Sequence, residues 1–307
     1  MKIEPSAPLW PAPAADRTAR VRPDDGVMDL KLREVLPHVR PGLVIDVGSG
    51  SGAMLRTIRE MLPGTTAVGL DFQPGYLAMA LANAGLPLVR GDARNVPLRR
   101  GIADTVILSS ALHEIFTFGG RGTDLADRVI ADLASLLKPG GHFILRESVR
   151  AVRGKVLLEL RDDDGLPDRS GAAPRELSTR GKFERFCHDY LPGDARRPRW
   201  RELVAGGRQL VEVDRALATE ALQHMIQVDA WSVEVLEIYG VCTLQRYRSA
   251  MRRAGLSILT ADAYLNPWIE EHCYQGRVRI WHMHSGATLV PEPYPASTFF
   301  GVGVKRP

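Results

Sequence analysis

Leu43-Val-Ile-Asp-Val-Gly-Ser-Gly-Ser-Gly52 is the stretch whose reading decides the fold. An apolar, β-branched run at 43–47 leads straight into glycines at 48, 50 and 52. Glycine lets the backbone turn sharply and lets a ligand approach the main chain. A helix starting just after Gly52 aims free N–H groups and a positive dipole end at that ligand. Asp46 stands two residues before the first glycine. Together these features predict a nucleotide-type pocket at the carboxyl end of a parallel strand.

Working outward, strands and helices alternate from 27 to 149. The pattern predicts helix 27–39, strand 43–47, helix 52–62, strand 66–71, helix 74–84 and strand 87–90. A strand at 104–109, a helix near 123–137 and a strand at 142–147 follow. Such alternation implies a parallel sheet with helices on both faces. Residues 150–240 break the rhythm. They read as amphipathic helices separated by Asp162-Asp163-Asp164-Gly165, Pro174, Pro192-Gly193 and Gly206-Gly207. The α/β pattern resumes with helix 241–254, strand 256–264 and a last strand near 297–305. Residues 1–26 hold five prolines and little apolar periodicity, and are expected to form an irregular arm.

The chain has 307 residues, enough for one large domain with a sizeable insertion. No apolar run reaches the roughly 18 residues of a membrane-spanning helix, and no secretory apolar region opens the chain, so a cytoplasmic protein is expected. Three widely spaced cysteines, Cys187, Cys242 and Cys273, fit free thiols rather than a disulfide frame. The net charge is +4, and residues 151–240 are slightly acidic, with 14 basic and 16 acidic side chains.

Alone, the glycine loop satisfies both GxGxG and the GxGxxG/A of dinucleotide-binding folds. Three carboxylates narrow the choice. Asp71, 19 residues after Gly52, ends the second strand where it can accept from both ribose hydroxyls. Asp92, in Gly91-Asp92-Ala93 after the third strand, can accept from an exocyclic adenine amine. Asp46 suits a ligand with a cationic amino group and would repel a pyrophosphate. The loop therefore matches an amino-acid-bearing nucleoside.

Here the chain resembles the class I S-adenosylmethionine-dependent methyltransferases. The matching residues are Val44–Gly52, Gly69-Leu-Asp71, Gly91-Asp-Ala93, Asp104–Ser110 and Leu137-Lys-Pro-Gly-Gly-His-Phe-Ile-Leu145, in the family's order and spacing. The resemblance covers about 27–149 and resumes over 241–305. It implies a Rossmann-like α/β fold with a seven-stranded sheet, mostly parallel with an antiparallel last strand. The expected domains are a core of 27–149 and 241–307, with a helical substrate-binding insertion or cap, 150–240, between strands five and six. The implied cofactor is S-adenosyl-L-methionine. Asp46 would face its amino group, Gly48 and Gly50 would pass beneath carboxylate and ribose, and Asp71 would hold the ribose. Phe72 and Val96 would sandwich the adenine, Asp92 and Ala93 would meet its edge, and Ser109 or Ser110 would line the methionine side.

A nitrogen or oxygen acceptor must lose a proton as it is methylated, so a base within reach is expected. His113 and Glu147, at the ends of the fourth and fifth strands, are the catalytic candidates. Glu114, His224, Trp231, Glu234 and Tyr239, with Glu237 nearby, are the candidate acceptor-binding residues. His282 and His284, i and i+2 on one strand, with His272 and Cys273 nearby, could ligate a metal, but hydrogen-bonded or surface roles are favoured and no metal is expected.

The insertion and its aromatics point to a polar small-molecule acceptor such as an amino sugar or another secondary metabolite, as in antibiotic biosynthesis. The alternative is an RNA methyltransferase, resting on pI ≈ 9.1 and on Arg196-Arg197-Pro-Arg199-Trp200-Arg201. A non-catalytic binding protein on the same fold is the third reading. A small-molecule acceptor is the expected partner, nucleic acid and membrane are not, and a homodimer is compatible with the sequence.

Overall fold

The computed structural model describes residues 27–122, 124–190, 198–284 and 288–307; the arm expected at 1–26 lies outside them. The chain begins with α1 (Val27–Val35), β1 (Leu43–Val47), α2 (Ala53–Met61), β2 (Thr66–Asp71), α3 (Pro74–Ala84) and β3 (Leu88–Arg90). It continues through β4 (Ala103–Ser109), α4 (Leu112–Phe118), α5 (Leu125–Ser135) and β5 (Leu137–Ser148). Then come β6 (Lys155–Leu160), α6 (Thr179–Asp189), β7 (Trp200–Ala205), β8 (Arg208–Asp214), α7 (Arg215–His224) and the single turn α8 (Trp231–Glu234). The C-terminal part holds α9 (Leu244–Arg253), β9 (Leu256–Tyr264), the turn α10 (Pro267–Ile269), β10 (Val278–His284), β11 (Thr288–Glu292) and β12 (Thr298–Lys305).

Two units divide these elements. The first comprises the chain up to Glu147, Leu244–Asp262 and Phe299–Pro307. Its sheet has seven strands in the order β3-β2-β1-β4-β5-β12-β9. The pairs β1–β2, β1–β4, β2–β3 and β4–β5 are parallel, and the sheet turns antiparallel at its last strands, as expected. The order reverses at β1, with β2 and β3 on one side and β4 and β5 on the other. In open α/β sheets a ligand binds in the crevice outside the strand ends at such a reversal. Here the reversal lies at the carboxyl ends of β1 and β4. One face of the sheet contributes Val44, Ile107, Ile144 and Val302 to a core closed by Val35 and by Met54, Leu55 and Ile58 of α2. Each such apolar side chain contributes roughly 1.5–3 kcal/mol on full burial.

The second unit comprises Ser148–Thr243 and Ala263–Thr298. Helices α6 to α8 lie after β5, where helices are expected. The same segment also carries β6, β7 and β8, which the helical reading of 150–240 does not include. They belong to a second sheet, five strands in the order β11-β10-β6-β8-β7, antiparallel throughout. Gly206-Gly207, read above as a break between helices, joins β7 to β8. Ala205 pairs with Arg208, and the glycines have φ of 55° and 71°. Positive φ at both central residues is the signature of the type I′ hairpin turn, which glycine adopts without strain. Residues 263–298 are expected in the core but fall in the second unit, because β10 hydrogen bonds to β6 through pairs such as Ile280↔Leu158. One face of this sheet, with Val156, Leu158, Val211, Val213, Val278 and Ile280, packs on Phe183, Phe186, Ala218 and Leu222 of α6 and α7. Among the described residues no helix is long and apolar enough to cross a membrane. The three cysteines are free thiols.

Candidate functional site

The glycine loop is held from β2. Gly48 and Ser49 N–H donate to the Leu70 carbonyl at 2.8 and 3.3 Å, and Gly52 N–H closes a turn on the Ser49 carbonyl. Asp71 completes the hold: its two oxygens accept from Gly50 N–H and Gln73 N–H, both at 2.9 Å. Gly48 is left-handed (φ 72°), and a Cβ there would lie 2.4 Å from Ala111 Cβ, so no other residue fits. Gly69 of β2 is matched to the loop in the same way, since a Cβ there would meet Ser49 Oγ at 2.6 Å.

Around this loop lie the other residues expected to hold the cofactor. Asp46 is 2 % exposed. Burial pushes its carboxyl up to about 8; Lys31 opposes the shift and Asp71 adds to it. Phe72, beside Asp71, presents a partly exposed ring. Asp92 folds back on its own turn, accepting from Arg94 N–H at 2.8 Å and from Arg94 Nε at 2.9 and 3.0 Å. Burial raises the Asp92 carboxyl, but Arg94 outweighs it and holds the group below its ordinary range. Asp92 therefore caps a turn and pairs with Arg94, whatever it offers a ligand. Ala93 is buried and Val96 half-buried. Ser109, at the end of β4, has a buried hydroxyl with no hydrogen-bond partner among the described residues. Ser110 follows it with φ 55°, a left-handed conformation that costs a serine energy and turns the chain out of the strand.

The two catalytic candidates meet. His113 Nδ1 lies 2.7 Å from Glu147 Oε1, with both residues buried. Glu147 Oε2 accepts from Leu112 N–H at 2.7 Å and His113 N–H at 3.2 Å, so the carboxylate also caps the start of α4. Both Glu147 oxygens are thus engaged in orienting α4 and the imidazole. The two candidates thus form one buried pair, in which the glutamate orients the imidazole. A proton on Nδ1, assigned from this contact, leaves Nε2 as the basic nitrogen of His113. Glu114 follows on α4, half-buried.

The acceptor candidates 224–239 gather inside the second unit. His224 is fully buried and stacks on Tyr239 at 4.3 Å between centroids, with Phe186 and Tyr190 also against it. Its Nδ1 contacts the Glu220 carbonyl at 2.8 Å, and its Nε2 contacts the carbonyls of Glu234 and Glu237 at 3.0 and 3.2 Å. Trp231 Nε1 donates to Asp189 at 2.8 Å, and the Tyr239 hydroxyl donates to Glu234. Glu220 accepts from Tyr239 N–H at 3.1 Å and Gly240 N–H at 2.5 Å. These contacts tie 231–240 to α7 and correct the reading of His224 and Trp231 as ligand-facing groups. Sequence reasoning missed Glu220; its place four residues before His224 on one helix face was the available signal.

Burial pulls His224 down to about 4, against 6.5 for the free side chain. The unfolded chain therefore binds the proton first. The His224 contribution to stability is complete above about pH 6.5 and is lost as pH falls toward 4. Thermal unfolding of wild type and His224→Gln at pH 7 and pH 5 checks this. The wild type is expected to lose more stability on acidification than the variant, and equal losses would contradict the assignment.

The remaining motifs have structural partners. His282 Nδ1 lies 3.2 Å from Glu292 Oε1, and Arg215 takes the same carboxylate with two hydrogen bonds. His272 stacks on Trp268 at 4.8 Å. In the arginine cluster, Arg201 pairs with Glu212 and Trp200 lies under Arg180, while Arg196 and Arg197 lie outside the described residues.

Residues 45–145 match the family model described as a methyltransferase domain. The chain is 30% identical over 112 residues to a demethylmenaquinone methyltransferase of Thermus thermophilus, covering 35% of this chain and 47% of that protein. It is 31% identical over 124 residues to a malonyl-[acyl-carrier protein] O-methyltransferase of Geobacter sulfurreducens, covering 39% and 46%. The chain spans about half the length of the curated relatives it matches. In fold it is similar to an S-adenosylmethionine-dependent methyltransferase from Mesorhizobium loti, with a TM-score of 0.52 at 18% identity over 92% of this chain and 99% of that one. Residues 45–145 thus match a methyltransferase domain, and the glycine loop and strand order agree with the class I fold, which implies S-adenosylmethionine as methyl donor.

Proposed function

We propose that this protein transfers a methyl group from S-adenosylmethionine to a nitrogen or oxygen of a polar small molecule, with His113 as proton acceptor. The buried His113–Glu147 pair carries this reading. It joins the ends of β4 and β5, beside the strand-order reversal, and supplies an imidazole oriented by a carboxylate. The bound donor supplies an activated sulfonium methyl. The chain's own residues then bind, orient and move a proton. Asp71 fits the ribose and Phe72 the adenine face. Asp92 and Ala93 are the proposed contacts of the adenine edge, and Gly48 and Gly50 those beneath the amino-acid end and ribose. Asp46, with its raised carboxyl, is ready to ionise when an ammonium arrives. The unpartnered Ser109 hydroxyl is a polar group awaiting a ligand.

Positioning supplies much of the remaining rate in such a displacement. Glu147 holds the imidazole, and His113 Nε2 takes the acceptor's proton. Acceptor choice is assigned to the second unit, which contributes no residue to the matched stretch 45–145. An amino sugar or another antibiotic-type metabolite in the cytoplasm is the acceptor class favoured by that unit's slightly acidic sequence. Ion pairing already occupies Arg201 of the cluster that suggests RNA. The test is a mass-spectrometric screen of amines, amino sugars, phenols, carboxylates, quinols and a short RNA. A mass gain of one methyl on a nitrogen or oxygen substrate is expected. Methylation of quinol carbon alone, or of RNA alone, would replace this reading.

A further inference from the structure

Arg146 stands at the end of β5, one residue before Glu147 and therefore on the opposite face of the sheet. Asp46 pairs with Ile107, and Ile107 with Ile144. One pleat further, Ser109 pairs with Arg146, and Gly48 follows Val47, the last residue of β1 paired with β4. Asp46, Ser109 and Arg146 thus share one face at the carboxyl ends of β1, β4 and β5.

The Arg146 side chain is only 7% exposed. Its Nε donates to Glu34 Oε2 of α1 at 2.8 Å, and its Nη1 lies 3.4 Å from Ser110 Oγ. Among the described residues Nη2 has no hydrogen-bond partner. A guanidinium carries five N–H donors, and a buried one is costly unless they are used. A fully satisfied internal pair would be bidentate, and Glu34 takes a single bond. The Ser109 hydroxyl beside it lacks a partner too. This face therefore presents a buried acid and an under-used buried base, with an orphaned hydroxyl between them.

An α-amino-acid group is an ammonium and a carboxylate on one carbon, and this arrangement complements it. We propose that Arg146 holds the α-carboxylate at the methionine end of S-adenosylmethionine, with the Ser109 hydroxyl as a second donor. The left-handed Ser110 and Glu34 of α1 set the direction of the guanidinium. The proposal rests on the placement of the donor's ammonium at Asp46.

The test is calorimetry of Arg146→Gln, without any acceptor, against three ligands. They are S-adenosylhomocysteine, its decarboxylated analogue, and 5′-methylthioadenosine, which lacks the amino-acid end. Arg146→Gln is expected to weaken S-adenosylhomocysteine by at least about tenfold and to leave the other two within about twofold. Equal weakening of all three ligands would mean a merely structural role and would overturn the proposal, as would unchanged S-adenosylhomocysteine affinity. Arg146→Lys keeps the charge but loses the fork. It is expected to show a smaller loss, again confined to the carboxylate-bearing ligand, and it replaces the glutamine variant if that one does not fold. Asp46→Asn separates the two assignments. If it weakens S-adenosylhomocysteine while Arg146→Gln does not, Arg146 alone is wrongly assigned. If neither variant matters, the placement of the amino-acid end is wrong.

Discussion

Replacing His113 by alanine is expected to slow methyl transfer by about 10²- to 10⁴-fold, the usual worth of a positioned general base. Affinity for S-adenosylmethionine is expected to stay within about twofold, because the imidazole is proposed to act on the acceptor and not on the donor. Glu147 prepares that imidazole. Its Oε1 lies 2.7 Å from Nδ1, and its Oε2 caps the helix that carries the ring. Glu147→Gln should give a smaller loss, with the lower limb of the pH–rate profile displaced, since the carboxylate no longer supports the imidazolium. Single-turnover rates across pH, with donor affinity measured separately, check both variants. An alanine variant with unchanged rate at every pH would remove His113 from the chemistry.

Replacing Asp71 by alanine is expected to weaken S-adenosylmethionine binding by about 100-fold. One carboxylate holds Gly50 N–H and Gln73 N–H, and is proposed to accept from the ribose as well. Hydrogen bonds to a charged acceptor contribute roughly 1.5–3 kcal/mol each, and two at the lower figure correspond to about two orders of magnitude. Asp71→Asn keeps the shape and loses the charge, so an intermediate loss is expected. Calorimetric titration decides, and unchanged affinity in the alanine variant would move the ribose elsewhere.

The first unit was largely legible because its information is local. A β-branched run followed by glycines encodes β1 and the loop, and Gly48 tolerates no substitute for reasons the backbone itself states. Asp71 could be placed because strand lengths and the helix between them are periodic. The relation of His113 to Glu147 was not legible. The two are separated by 34 residues and meet only through the pairing of β4 with β5. The sequence offered two separate candidate bases, and folding brings them together as one buried pair. Arg146 was invisible for the same reason, since one arginine after an apolar strand has no periodic signature. In the second unit, the pairing of β6 with β10 spans more than a hundred residues, beyond any local signal. The Gly-Gly hairpin turn was a readable sign, and the apolar–polar alternation Val211-Glu-Val-Asp214 supported it. His224 shows the reverse lesson. Its chemistry suggested a ligand contact, whereas three carbonyl oxygens surround its ring.

The chain leaves the first unit twice, after Glu147 and after Asp262, and re-enters it twice. Neither sheet is complete until strands within residues 278–307 have been made: β10 and β11 finish one, and β12 sits inside the other. During synthesis on the ribosome, therefore, neither unit can finish folding until nearly all of these residues have been made. Contacts of such long sequence separation form slowly and leave unpaired strand edges exposed in the meantime. No single cut can release either half intact, and a nascent chain stalled near residue 260 would carry two unfinished sheets.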